Sequence, residues 1–110
     1  MPELPEVETV RRTLEQDIVG KRINDVIINY SKIIQNVTDT MFKEKLIGQT
    51  FRELKRKGKY LICITDDYYL IVHLRMEGKF FLMHNEEITK HDHIIFKFDD
   101  SELRYNDTRK

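Results

Sequence analysis

The stretch YLICITDDYYLIVHLRMEGKFFLMHN, residues 60–85, decides the fold class. It holds three runs rich in β-branched and aromatic residues, broken only by Asp66-Asp67 and Glu77-Gly78. Runs of this composition read as strands, and short polar breaks between them read as tight turns. Working outward, TFRELKRK (50–57) precedes the stretch across Gly58. HIIFKF (93–98) and ELRYN (102–106) follow it, after Asn85-Glu86-Glu87 and Asp99-Asp100-Ser101. Strands this closely connected predict antiparallel meanders, and six or more of them predict two stacked layers rather than one open sheet.

The first fifty residues read differently. Val7, Val10, Leu14 and Ile18 recur at the spacing of one helical face, with Pro5 in the first turn and Gly20 past the end. Glu6 and Glu8 lie where the helix dipole favours negative charge. RINDVIINY (22–30) alternates like a strand. VTDTMFKEKLIG (37–48) reads as a short helix capped by Thr38 or Asp39 and stopped by Gly48. The predicted class is α+β: a two-layer antiparallel β-sandwich with an N-terminal helix and a short second helix, in one domain over residues 1–110.

A chain of 110 residues with 40% apolar content suits one packed domain. No apolar run approaches the roughly 18 residues of a membrane span, and the basic-then-apolar order of a signal peptide is missing. The expected location is the cytoplasm. The lone Cys63 excludes an internal disulfide and a cysteine-rich zinc site within these residues. Nineteen basic and nineteen acidic residues cancel, so net charge lends nucleic-acid binding no support. Any such function rests on where the charges sit, and one cluster stands out. Lys55, Arg56, Lys57 and Lys59 fall together in KRKGKY, either as a solvated strand edge or as phosphate contacts.

The chain start raises a chemical question. Removal of Met1 leaves Pro2 as a secondary amine, and an α-amino group with a pKa near ~7.7–8.0 is partly neutral at cellular pH. Such an amine attacks a sugar carbon and gives an iminium ion, which stays cationic and acts as an electron sink. Glu3 is then placed to move protons, and Glu6, one turn on, to orient water or the amine. With Met1 retained, the Pro2 nitrogen is an amide and inert. A plain helix start accounts for the same residues without any chemistry.

MPELPEVETVRRTL closely resembles the N-terminus of the bacterial formamidopyrimidine-DNA glycosylases. The resemblance continues in order through GKYL (58–61), VHLRMEGKF (72–80), HDHIIFKF (91–98) and YNDTRK (105–110). Leu4 favours this branch over the related endonuclease VIII branch, which typically begins Pro-Glu-Gly-Pro-Glu and prefers oxidised pyrimidines; an endonuclease VIII-like glycosylase stays an alternative. The resemblance implies excision of oxidised purines such as 8-oxoguanine and formamidopyrimidines from double-stranded DNA, then β,δ-elimination at the abasic site. It implies Pro2 as nucleophile, Glu3 as acid/base, Glu6 as supporting carboxylate and Lys59 as phosphate contact, with Lys57 as the alternative if the register slips. His73 resembles a second phosphate contact, although its neighbours Val72 and Leu74 equally suit a packed histidine. Met76, read as sitting at a hairpin tip, matches the residue that fills the void left by a flipped base. Arg109 matches the one that reaches the estranged partner base, usually cytosine.

His91, Asp92 and His93 invite a metal assignment. In a strand, however, the two histidines share one face and Asp92 points away, so they offer at most two ligands together. No metal or other cofactor is expected in these residues. The resemblance instead implies a zinc finger, with a helix-two-turn-helix and most of the positive charge, in a further half beyond Lys110. The abrupt stop at Lys110 is read as the end of a fragment that binds DNA weakly and has little activity alone. The full-length protein is expected to be a monomer in the bacterial cytoplasm, associated with the nucleoid. Two other functions compete: a non-catalytic DNA-binding or structural module, and a small-molecule enzyme using its terminal proline as a base.

Overall fold

The computed structural model describes residues 3–109. The first helix, α1 (Leu4–Ile18), buries Val7, Leu14 and Ile18, the predicted face. That face lies along strand β2 (Phe51–Lys57), where the Arg11 Nη1 atom also donates to the Leu54 carbonyl at 3.2 Å. Gly20, at φ 90°, turns the chain out of the helix in a conformation that side chains disfavour. After β1 (Asp25–Ile28) and one turn of 3-10 helix (Ser31–Ile33), α2 runs over Asp39–Leu46. Thr38 caps it by accepting from the Met41 amide at 3.2 Å.

The remaining strands are β3 (Tyr60–Thr65), β4 (Tyr69–His73), β5 (Gly78–Met83), β6 (Asp92–Lys97) and β7 (Glu102–Asp107). They form two sheets, β2-β3-β4 and β1-β6-β7-β5, with every pairing antiparallel. The two-layer sandwich with two helices is as the sequence predicts. Its core is the interdigitated set Phe51, Leu54, Leu61, Phe96, Leu103 and Tyr105, with Phe51 edge-on to both Phe96 and Phe98.

Two expectations about connections need correction. Only β2-β3-β4 is a meander. β5 skips its neighbours in sequence and pairs with β7, because the short turn after β4 carries the chain across to the other sheet. The long connection 84–91 then folds over the outer face of the four-stranded sheet, tied there by Arg104.

Strand directions fix which turns meet. β3 begins, β4 ends, β5 begins and β7 ends at one end of the sandwich, as Tyr60 facing His73 and Gly78 facing Asp107 show. The start of α1 lies at that same end. Glu8 accepts from the Arg56 Nε atom at 3.1 Å, and the Arg56 Nη1 atom donates to the Gly58 carbonyl at 3.0 Å.

Candidate nucleic-acid interface

Four segments far apart in sequence converge at this end: the start of α1, the turn 58–59, residues 73–77, and residues 107–109. Each is held by a specific local device. Glu3 is the N-cap of α1 with an extended backbone and no side-chain capping bond, and Glu6 follows in the first turn. Both carboxylates are therefore carried on the positive end of a helix dipole. Glu8 is committed elsewhere. Arg11, Arg56 and Arg12 surround it and hold its carboxyl down at about 2, so it works as a clamp rather than a proton donor.

The turn between β2 and β3 has only two residues, Gly58 and Lys59, and Gly58 supplies the positive φ that it needs. Lys59 thus sits in the turn itself rather than within a strand. Lys57 ends β2 beside it, exposed. His73, the last residue of β4, packs its ring edge against Tyr60 at 5.0 Å. Its Nδ1 atom accepts from the Arg75 amide at 3.0 Å, which leaves Nε2 as the donor on the neutral ring.

Met76 is 58% exposed, a high value for a methionine that a core would otherwise absorb. The residue before it, Arg75, takes φ 60°, a left-handed conformation that costs a non-glycine residue energy. The turn closes through the Gly78 amide donating to the Leu74 carbonyl at 2.9 Å. A Cβ on Gly78 would fall inside van der Waals contact of that carbonyl and of the Tyr105 hydroxyl. Met76 is therefore not at a hairpin tip, as the spacing suggested. It stands on a tight turn between sheets, pushed outward by a strained residue and a space only glycine fits.

Arg109 lies two residues beyond the end of β7 as Met76 lies two before the start of β5, so both project past the same sheet end. Its amide donates to Asp107 Oδ1 at 2.9 Å. Glu6, Leu74, Met76, Glu77 and Phe81 border one groove of about 420 Å³ between α1 and β5. Of the predicted site residues, Glu3, Glu6, Lys57, Lys59, His73, Met76 and Arg109 all fall at this end. Pro2 lies outside the described residues.

The structure brings two further groups here, one that sequence reasoning passed over and one that it considered only as a metal ligand. Arg75 is signalled only by its place in LRME; His91, weighed for a metal, instead joins this end through its carbonyl, which accepts from the Asp107 amide at 3.1 Å. The expected alternation in HDH does not hold, since β6 starts at Asp92 and its register shifts before Ile94. Asp92 and His93 are both buried, and Asp92 is engaged by Thr89, Asn106 and Arg104. Among the described residues, no three or more His, Cys, Asp or Glu side chains are grouped to hold a metal. Burial pushes the Cys63 thiol up to about 12, so it is no nucleophile.

The sequence profile described as "Formamidopyrimidine-DNA glycosylase N-terminal domain" matches residues 1–110. The chain belongs to this family. Similar glycosylase-family relatives bear it out: a formamidopyrimidine-DNA glycosylase of Bacillus cereus is 52% identical across the whole chain, and one of Halalkalibacterium halodurans 51%. The chain spans 41% of the length of each. Among solved structures, the Lactococcus lactis glycosylase bound to DNA containing an abasic site superposes with TM-score 0.94 at 45% identity, over 98% of this chain and 41% of that one. MutM in complex with DNA containing carbocyclic 8-oxo-G gives 0.94 at 46%, over 99% and 42%. The glycosylase N-terminal domain fold is thus shared essentially throughout.

Proposed function

We propose that residues 1–110 are the catalytic domain of a base-excision-repair DNA glycosylase and abasic-site lyase acting on oxidised purines in duplex DNA. One observation supports this best: an exposed Met76 beside the strained Arg75, the cations of the turns and the two helix-start carboxylates all gather at one end of the sandwich. A packing role does not require that gathering, whereas lifting a nucleotide out of a duplex does.

In this reading the Pro2 nitrogen attacks C1′ as the C1′–base bond breaks, and the base leaves with a proton. Glu3 protonates the sugar ring oxygen, so the ring opens and the cationic iminium forms. The iminium acidifies the C2′ hydrogen; its loss expels the 3′ phosphate, and a second elimination expels the 5′ phosphate. Glu6 orients water or the amine. Lys59 and His73 contact the phosphates beside the lesion, with Lys57 flanking them. Met76 enters the vacated stack and Arg109 faces the partner base. The isolated 110-residue chain, formally neutral, binds DNA weakly and turns over little, because phosphate neutralisation dominates affinity.

Borohydride reduction tests the reading. Full-length protein lacking Met1 by intact mass is expected to become covalently joined to abasic duplex DNA, and acylation of its terminal amine to abolish the adduct. Tight binding without any adduct would identify a non-catalytic DNA-binding module instead.

A further inference from the structure

Among the described residues, the largest fully buried side chain is a charged one, Arg104. It donates to Asp92 Oδ2 at 3.2 Å, to Glu102 Oε1 at 2.6 Å, to the Glu87 carbonyl at 3.1 Å and to the Glu86 carbonyl. Asp92, 2% exposed, also accepts from the Thr89 amide and from the Asn106 Nδ2 atom, both at 2.9 Å. Burial pushes the Asp92 carboxyl up, but these amides and Arg104 outweigh it and hold the group below the usual range.

Stability alone is a poor reason for this arrangement. Replacing a buried ion pair by apolar residues of similar volume is often neutral or stabilising. What the pair adds is geometry. Apart from the bond to Glu102, the first residue of β7, every bond runs between the later residues of β7, the connection 84–91 and Asp92, the first residue of β6. Asn106 grips Asp92, the adjacent Asp107 amide grips the His91 carbonyl, and Asp107 Oδ1 takes the Arg109 amide. The backbone from 104 to 109 is thereby registered against residues 86–92 immediately before Arg109 leaves the sheet.

We infer that Asp92, Arg104 and Asn106 form a positioning unit that sets where Arg109 meets the DNA, and through it the discrimination between opposite bases. This rests on the proposed reading of Arg109 as facing the partner base.

Asn106→Ala is the informative variant, because it removes one bond to Asp92 without stranding a buried charge. Full-length wild type, Asn106→Ala, Arg109→Ala and the double variant are compared for equilibrium binding to duplexes carrying a stable tetrahydrofuran abasic analogue opposite cytosine or adenine. Asn106→Ala is expected to lower the cytosine-over-adenine affinity ratio roughly fivefold, the scale of one charge-assisted hydrogen bond only partly transmitted. Arg109→Ala should lower it at least as far, and the double variant no further. A wild-type ratio in Asn106→Ala with only a lower melting temperature would overturn the positioning role and leave Arg109's assignment intact. The positioning role also fails if Asn106→Ala lowers the ratio by the same factor when Arg109 is already absent. An unchanged ratio in Arg109→Ala would overturn the assignment of Arg109, and this inference with it.

Discussion

At the end of the sandwich where β3 turns into β4, the acidic residues are consumed internally. Asp66 takes the Arg52 Nε atom at 2.6 Å and the Thr50 amide at 3.1 Å, and Asp67 takes Gln49 at 2.9 Å. The neighbouring β6–β7 turn does likewise, with Asp99 on Asn24 and Asp100 on Lys21. The opposite end is built otherwise. Its turns and strand ends carry Lys57, Lys59, Arg75 and Arg109, one non-glycine backbone in a left-handed conformation and a methionine 58% exposed. A formal net charge of zero therefore hides the arrangement: at one end Asp66 and Asp100 are paired with cations, and at the other Lys57, Lys59, Arg75 and Arg109 gather with Glu3, Glu6 and Glu77. For the proposed nucleic-acid binding, where the charges sit carries more than their sum.

The largest effect falls on the strap joining the two ends. Arg104→Leu leaves Asp92 buried without its cation and should destabilise the domain by about 3–5 kcal/mol in chemical denaturation. A change below about 1 kcal/mol would mean the pair contributes no more than an exposed one does. Next is Gly78→Ala, whose methyl group has no room between Leu74 and Tyr105. It should cost about 1–3 kcal/mol and weaken binding of full-length protein to abasic duplex as the 74–77 turn shifts. Unchanged affinity would show that the shape of the turn is irrelevant to DNA.

Two smaller tests separate the ends by charge. Lys59→Ala in the full-length protein should weaken binding alike for all sequences and reduce the slope of log affinity against log salt by about one. Asp66→Ala, at the far end, should leave that slope unchanged in the same titration. The smallest effect is the pH dependence of Glu8. Its folded value of about 2 lies below its ordinary 4.5, so the clamp's stabilisation is complete above about 4.5 and lost as pH falls towards 2. Melting temperatures of wild type and Glu8→Gln should converge over that window; parallel curves would contradict the clamp.

Much of this was legible in the sequence, for physical reasons. Strand composition and two-residue polar breaks forced a layered antiparallel fold, and the spacing Val7, Leu14, Ile18 marked the buried face of α1. The terminal motif drew attention to Glu3 and Glu6, which lie at the N-cap and first turn of α1. The pairing of β5 with β7 was not legible, because a turn that changes sheets uses the same residues as one that closes a hairpin. Nor was the role of Arg104. In ELRYN it reads as an alternating surface charge, and only the folding of residues 84–91 across the sheet buries it. The burial of both Asp92 and His93 was not legible either, because the register shift ends the expected alternation.

The central claim is that one end of the sandwich handles DNA and the other does not. Amide hydrogen exchange of the full-length protein, with and without an abasic-analogue duplex, addresses it directly. New protection is predicted at residues 58–60, 73–77 and 106–109, with residues 66–68 and 98–101 unaltered. Protection centred on 66–68 and 98–101, with the first set unchanged, would contradict the account.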